Sequence, residues 1–205
     1  MTRVKYLGRH IMIKGKYVED IILGRKKTTI RRGIVKPKYR EVILHGGGRP
    51  VAKVLIEKVF HKKVCELTDS DALNDGFKSR EELIRELKET YPGITNDDWI
   101  TIIEFKLIQR IDEINRDDKY LGLKPVDIAR IALRYLSNEL SDEDRKILIE
   151  LTRSESIRAT AYKLFKNIDK RYIVRKVLMK ALDKLVSKGI LRKSVRNDLL
   201  DSQMQ

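Results

Sequence analysis

Four residues in the segment ILGRKKTTIRRG stand at a spacing that could bring three polar groups to one ligand: Gly24, Lys26, Thr29 and Arg31, reading G-x-K-x-x-T-x-R. Thr29 and Arg31 are two apart, so on an extended strand their side chains share a face, while Lys26 sits in the turn that leads into it. The glycine ends a short helix over YVEDIILGR. An ammonium, a hydroxyl and a guanidinium converging in this way suit an anionic or carbonyl-bearing ligand. The same residues would also make an ordinary exposed basic strand at the edge of a barrel, and both readings stand on the spacing alone.

Other residues extend the chemistry. Arg32 continues the basic strand, and KPKYR places Lys38, Tyr39 and Arg40 together, cations for phosphate beside a ring for stacking. Tyr17 and Trp99 are further aromatic candidates, Trp99 at the start of the last strand and so in the core or at a rim. His45 precedes Gly46, Gly47, Gly48 and Arg49, a ligand contact or simply the start of a flexible hairpin. The one cysteine, Cys65, cannot close an intramolecular disulfide; flanked by Val64 in a β-prone stretch, it reads as a buried structural thiol. With His10, His45 and His61 showing no metal-ligand spacing, no metal site is expected.

The elements that must position these residues follow from composition and periodicity. A chain of 205 residues, 41% hydrophobic and 37% charged, is expected to fold as two domains. Its net charge of +15 draws it toward polyanions, nucleic acid first. The charge is segregated: residues 1–63 carry 18 basic against 4 acidic side chains and residues 156–205 carry 13 against 4, so two basic surfaces are expected. No apolar run reaches the roughly 20 residues of a membrane span, and the N-terminus lacks a secretory core, which implies a cytoplasmic protein without a membrane partner. Abundant Lys, Arg, Glu and Ile give the composition a thermophile-like cast.

β-Branched or alternating runs, HIMIK, TTIRR at 28–32, EVILH at 41–45, PVAKVLIEKVF at 50–60 and DWITIIEFKLI at 98–108, predict five or six strands. SREELIRELKETY predicts a helix capped by Ser79 and stopped before Pro92 and Gly93. The first domain, residues 1–110, therefore reads as α+β, a short-stranded barrel with peripheral helices. A polar connector, 111–124, leads to an all-α second domain, 125–205, with Pro125 in a first helical turn, Ser141 as an N-cap, and two later helices near 155–167 and 170–188.

G-x-K-x-x-T-x-R after a short helix resembles the signature of the ASCH domain, a PUA-like β-barrel. LTDSDALNDGFKSREELIRELKETYP followed by DDWITIIEFKLI is similar to the second half of such domains, so the resemblance covers residues 3–108. It implies a role in RNA metabolism or translation-associated regulation, with a ligand in the cleft beside the motif; transfer RNA and ribosomal RNA are candidates, and no cofactor is implied. Gly24, Lys26, Thr29, Arg31, Arg32, Lys38, Tyr39 and Arg40 would be the RNA-binding residues. Some small members of the family are amidohydrolases acting on acetylated cytidine through a Lys, a Thr and a Glu. Carried onto this chain these are Lys26 as base, Thr29 as nucleophile and, in place of the Glu, Asp75 in LNDGF. Aspartate is one methylene shorter, so its carboxylate is expected to sit too far back unless the LNDG loop moves inward.

The last part of the chain, SIRATAYKLFKNIDKRYIVRKVLMKALDKLVSKGILRKS, resembles a winged helix-turn-helix within residues 125–195, its short wing falling at Ile190 to Ser194. Lys170, Arg171, Arg175 and Lys176 would face nucleic acid, either double-stranded DNA or structured RNA, although such modules also dock proteins. RNA binding is the leading expectation. An amidohydrolase acting on a modified nucleoside and a DNA-binding regulator using the second domain are the alternatives.

Overall fold

The computed structural model describes residues 4–111 and 118–191. The chain forms two compact units, residues 1–110 and 111–205.

The first unit is built on a curled five-stranded sheet. Its strands are β2 (His10–Ile13), β3 (Thr28–Arg32), β5 (Glu41–Gly46), β6 (Arg49–Lys63) and β7 (Trp99–Arg110), in the order β2-β5-β6-β7-β3. β2 runs parallel to β5 and every other pairing is antiparallel. Register shifts in the β5–β6 and β6–β7 ladders mark bulges, which bend a sheet and strengthen its twist. The result is a half-barrel whose edge strands are β2 and β3. A second, two-stranded parallel sheet joins β1 (Lys5–Leu7) to β4 (Val35–Pro37). Thr101 Oγ1 on β7 holds this pair in place, accepting from Val35 N at 2.8 Å and donating to Gly33 O at 2.6 Å.

Residues alternate along β7, so the sheet serves two cores. Ile103 and Phe105 face a cluster with Ile11, Val42, Leu44 and Val54 inside the curl, joined by Ile21 of the short helix α1 (Val18–Ile22). Ile100 and Ile102 face the other way, onto Ala72 of α2 (Asp69–Asn74) and Leu83 and Leu87 of α3 (Arg80–Thr90). Ser79 caps α3, its side chain accepting from Glu82 N. Thr68 and Asp71 form a reciprocal capping box on α2, which fixes where that helix begins and hence where its C-terminal end delivers Asp75. Cys65 is exposed rather than buried: it lies in a single turn after β6 in which Val64 takes the inward position.

The second unit is helical. Its helices are α4 (Pro125–Tyr135), α5 (Asp142–Ser154), α6 (Ile157–Phe165) and α7 (Arg171–Ser187). Pro125 occupies the first turn of α4, and Ser141 and Ser156 cap α5 and α6 through their side chains. Ile128, Ile131, Leu148, Leu151, Val174 and Leu178 are buried. A five-residue turn, 166–170, separates α6 from α7. Among the described residues of this unit there is no strand; Ile190 and Leu191 are non-strand, and the rest of the expected wing lies outside the described residues. No helix among the described residues is long and apolar enough to cross a membrane.

Candidate functional site

The half-barrel leaves a seam between its edge strands, and a cleft of about 480 Å³ opens there. His10, Met12 and Ile13 of β2 line one side; Thr29, Ile30 and Arg31 of β3 line the other. Side chains take the place of a closing ladder. The Arg31 guanidinium spans the seam, donating to Met12 O, and also donates to Thr29 Oγ1 and Ile30 O, each at 3.1 Å. The Tyr91 hydroxyl donates to Ile30 O at 3.3 Å. Edge strands carry unpaired main-chain groups, so a cleft between two of them offers a ligand both backbone and side-chain polar atoms.

At the base lies a buried ion pair. Lys26 and Asp75 are each 4% exposed. Lys26 Nζ donates to Asp75 Oδ2 at 2.6 Å and to Asp75 O at 2.7 Å, and Thr28 Oγ1 donates to Asp75 Oδ1 at 2.9 Å. The ammonium thus meets both a carboxylate and a carbonyl just past the C-terminal end of α2, where positive charge is favoured. It also sits 4.8 Å from the centre of the Tyr17 ring and 5.5 Å from that of Phe77. Burial lowers the Lys26 pKa and raises that of Asp75, while their mutual attraction opposes both shifts.

Short as it is, the Asp75 carboxylate reaches Lys26, and the loop explains how. Asp75 ends α2 and Gly76 follows at φ +86°, a conformation that favours glycine; a Cβ there would stand 3.3 Å from Lys26 Cβ. The missing side chain lets the loop press against the lysine stem. Lys27 N donates to Asn74 O at 2.7 Å and anchors the approach to β3 on the same loop.

Leu83, Leu87 and Tyr91 form an apolar wall, and Glu86 stands among them. Lys14 and Lys16 bind its carboxylate at 2.5 and 2.8 Å, tying the segment before α1 across the cleft to α3. Burial pushes the Glu86 carboxyl up, but Lys14, Lys16 and Tyr17 outweigh it and hold the pKa at about 2. Burial raises the Tyr17 phenol to about 12. On the β2 side, His10 Nδ1 and the fully buried His45 Nε2 are 2.8 Å apart, so one ring donates to the other. His45 accordingly reaches the cleft through His10, which lines it.

Of the residues expected in one site, Lys26, Thr29, Arg31 and Asp75 line the cleft together. Gly24 lies outside it, where its φ of +73° turns the chain out of α1. Arg32 points away from its neighbour Arg31, toward Asp98 at 3.0 Å. Lys38, Tyr39 and Arg40 line a different, smaller cleft of about 260 Å³. In the second unit, Lys170 lies in the turn before α7 and Arg171, Arg175 and Lys176 in its first turns. Among the described residues none of these four forms an ion pair, whereas Lys180 binds Asp144 and Lys184 and Lys188 bind Glu139. Thr28, Glu86 and His10 carried no signal that sequence reasoning could use, since each acts through a partner distant in the chain.

Residues 5–109, which hold the whole of this cleft, match the ASCH domain family. The chain belongs to the ASCH-domain family. The ASCH domain is a PUA-like fold often proposed to bind RNA. The ASCH domain of Lactobacillus crispatus JV V101 is 16% identical over 51% of this chain and 80% of its own, with a TM-score of 0.39. ASCH from Zymomonas mobilis is 19% identical over 54% of this chain and 74% of its own, with a TM-score of 0.41. No curated protein matches the chain.

Proposed function

We propose that this ASCH protein binds RNA and acts in RNA metabolism or translation-associated regulation. The carrying observation is the convergence of Lys26, Thr29 and Arg31 on one cleft in the most basic part of the chain. The second unit adds Lys170, Arg171, Arg175 and Lys176 as a separate contact for duplex RNA or DNA. Fluorescence anisotropy of labelled RNA with the full chain tests this. Affinity falls steeply between low and physiological salt, because phosphate contacts release counterions. Arg31→Ala weakens binding more than the paired substitution Lys62→Ala with Lys63→Ala, whose cations are already bound to Asp71 and Asp97. Equal losses from the two variants, or an affinity indifferent to salt, refute the proposal. Substituting all four second-unit cations by Gln lowers duplex affinity more than single-strand affinity.

Amide hydrolysis on a modified nucleoside is the second reading, favoured by one observation: burial lowers the pKa of Lys26, as a general base requires. Against it, the Asp75 oxygens are taken by Lys26 and Thr28, and the Thr29 hydroxyl is bonded to Arg31. Acetate release from acetylcytidine at elevated temperature, abolished by Thr29→Ala, would promote this reading to first place.

A further inference from the structure

The small sheet of β1 and β4 presents cations and rings that the seam cleft does not use. Tyr6 is 65% exposed and Tyr39 40% exposed. Each has a cation at its face: the Lys38 ammonium lies 5.2 Å from the centre of the Tyr6 ring, and the Arg9 guanidinium 3.7 Å from that of Tyr39. The parallel register sets Tyr6 beside Lys36 and Leu7 beside Pro37, and Lys38 N then donates to Leu7 O at 2.9 Å. Two ring–cation pairs, Tyr6 with Lys38 and Tyr39 with Arg9, therefore lie at the end of this sheet. The Cα atoms of Tyr6 and Arg9, three residues apart, are separated by no more than about 11 Å.

Three more observations bear on the occupant. Lys5, Lys36, Lys38 and Arg40 make no ion pair among the described residues, although 37% of the chain is charged and most neighbouring lysines find a carboxylate. The nearest acid in sequence, Glu41, is committed to Lys53 at 2.7 Å. Lys38, Tyr39 and Arg40 line the smaller cleft, with Lys58 and one carboxylate, Glu57, opposite them. Like charges held together at a surface repel unless an anion joins them. An acidic partner would satisfy the cations alone; exposed rings interleaved with the cations call for a ligand with flat faces as well as negative charge.

We infer that the β1–β4 sheet is a second nucleic-acid subsite, which stacks successive bases of single-stranded RNA on Tyr6 and Tyr39 while Lys36, Lys38 and Arg40 hold its phosphates. This rests on the RNA-binding reading above and gives it a substrate class. A duplex cannot use the site, because its bases are already stacked on one another and only its backbone would reach the lysines.

The test is anisotropy of the full chain with a labelled unstructured RNA 12-mer and with a blunt RNA duplex. Tyr6→Ala combined with Tyr39→Ala lowers single-strand affinity at least about 20-fold, since each lost stack is about fivefold or more. Duplex affinity and the salt slope stay as they were. Tyr6→Phe combined with Tyr39→Phe keeps the rings and binds within about twofold of the unmodified chain. Both tyrosines are exposed, and circular dichroism verifies folding of each variant. Equal losses for single strand and duplex overturn the subsite, and so does an alanine variant that binds as the unmodified chain does. Poly-glutamate binding as tightly as RNA, insensitive to the tyrosines, would make the partner an acidic protein instead. In all three cases the unmodified chain still binds RNA; failure of the unmodified chain to bind either RNA overturns the RNA-binding reading along with the subsite.

Discussion

Replacing Asp75 by Asn strips the buried Lys26 ammonium of its counter-charge while leaving shape almost unchanged. Breaking a buried ion pair from one side costs about 3–5 kcal/mol. Here the main-chain carbonyl of residue 75 stays 2.7 Å from Nζ, and the Tyr17 and Phe77 rings remain within cation–π distance. Together these hold the cost near the lower end, about 3 kcal/mol. The chain has a single tryptophan, Trp99 on β7, so its fluorescence follows unfolding of the first unit. With a urea m-value of about 1–3 kcal/mol/M, the midpoint falls by roughly 1–3 M. The pH dependence sharpens the test. Burial puts the folded pKa of Lys26 below its ordinary 10.5, so between those values the unfolded chain binds more protons and stability rises with pH. Removing the carboxylate lowers that pKa further and widens the window toward neutrality. The deficit of Asp75→Asn is therefore largest at neutral pH and shrinks as pH climbs to 10, where the scan stops, below the about 12 of Tyr17. A deficit that grows with pH, or no deficit at pH 7, refutes the account of the pair.

Two further outcomes are expected. Glu86, with a folded pKa of about 2 against an ordinary 4.5, contributes stability that is present above 4.5 and lost as pH falls toward 2. Glu86→Gln removes that part of the acid slope in urea midpoints measured between pH 5 and 2.5, whereas parallel curves for the two proteins contradict the role of Lys14 and Lys16. Gly76→Ala meets both an unfavourable φ and the Lys26 stem, so the urea midpoint drops by an amount equivalent to about 1–3 kcal/mol; an unchanged midpoint argues that the loop adapts freely.

The long strands were legible because their burial is repetitive. TTIRR coincides with β3, and DWITIIEFKLI falls one or two residues from the bounds of β7. The three-residue strands β1 and β4 were not, since KYL and VKP are too short for alternation to register and their parallel pairing joins segments 30 residues apart. The capping serines of α3, α5 and α6 act locally and lie at the helix starts. Site chemistry divides along the same line. Lys26, Thr29 and Arg31 lie within six residues and announce themselves by spacing, but which threonine reaches Asp75 depends on how the LNDG loop docks. Thr28 makes that bond, and nothing in the spacing distinguishes it from Thr29. Cys65 was misjudged because a β-prone neighbourhood does not reveal where the strand stops; β6 ends at Lys63 and the turn swings the thiol outward.

β7 is flanked by β6 on one side and by β3 on the other, so Thr28 finds its partner in Glu104, at the far end of the same unit. On a growing chain, β3 has no strand to pair with until residues 99–110 have been made. The pairing that fixes β3, and with it one wall of the seam, therefore has a long loop to gather in. The second unit is made after the first; its helices contact their neighbours in sequence, and α4 also waits for α7. During the interval before β7 emerges, β3 is an unpaired strand open to mispairing with another nascent chain, a risk that the charges of Arg31 and Arg32 reduce.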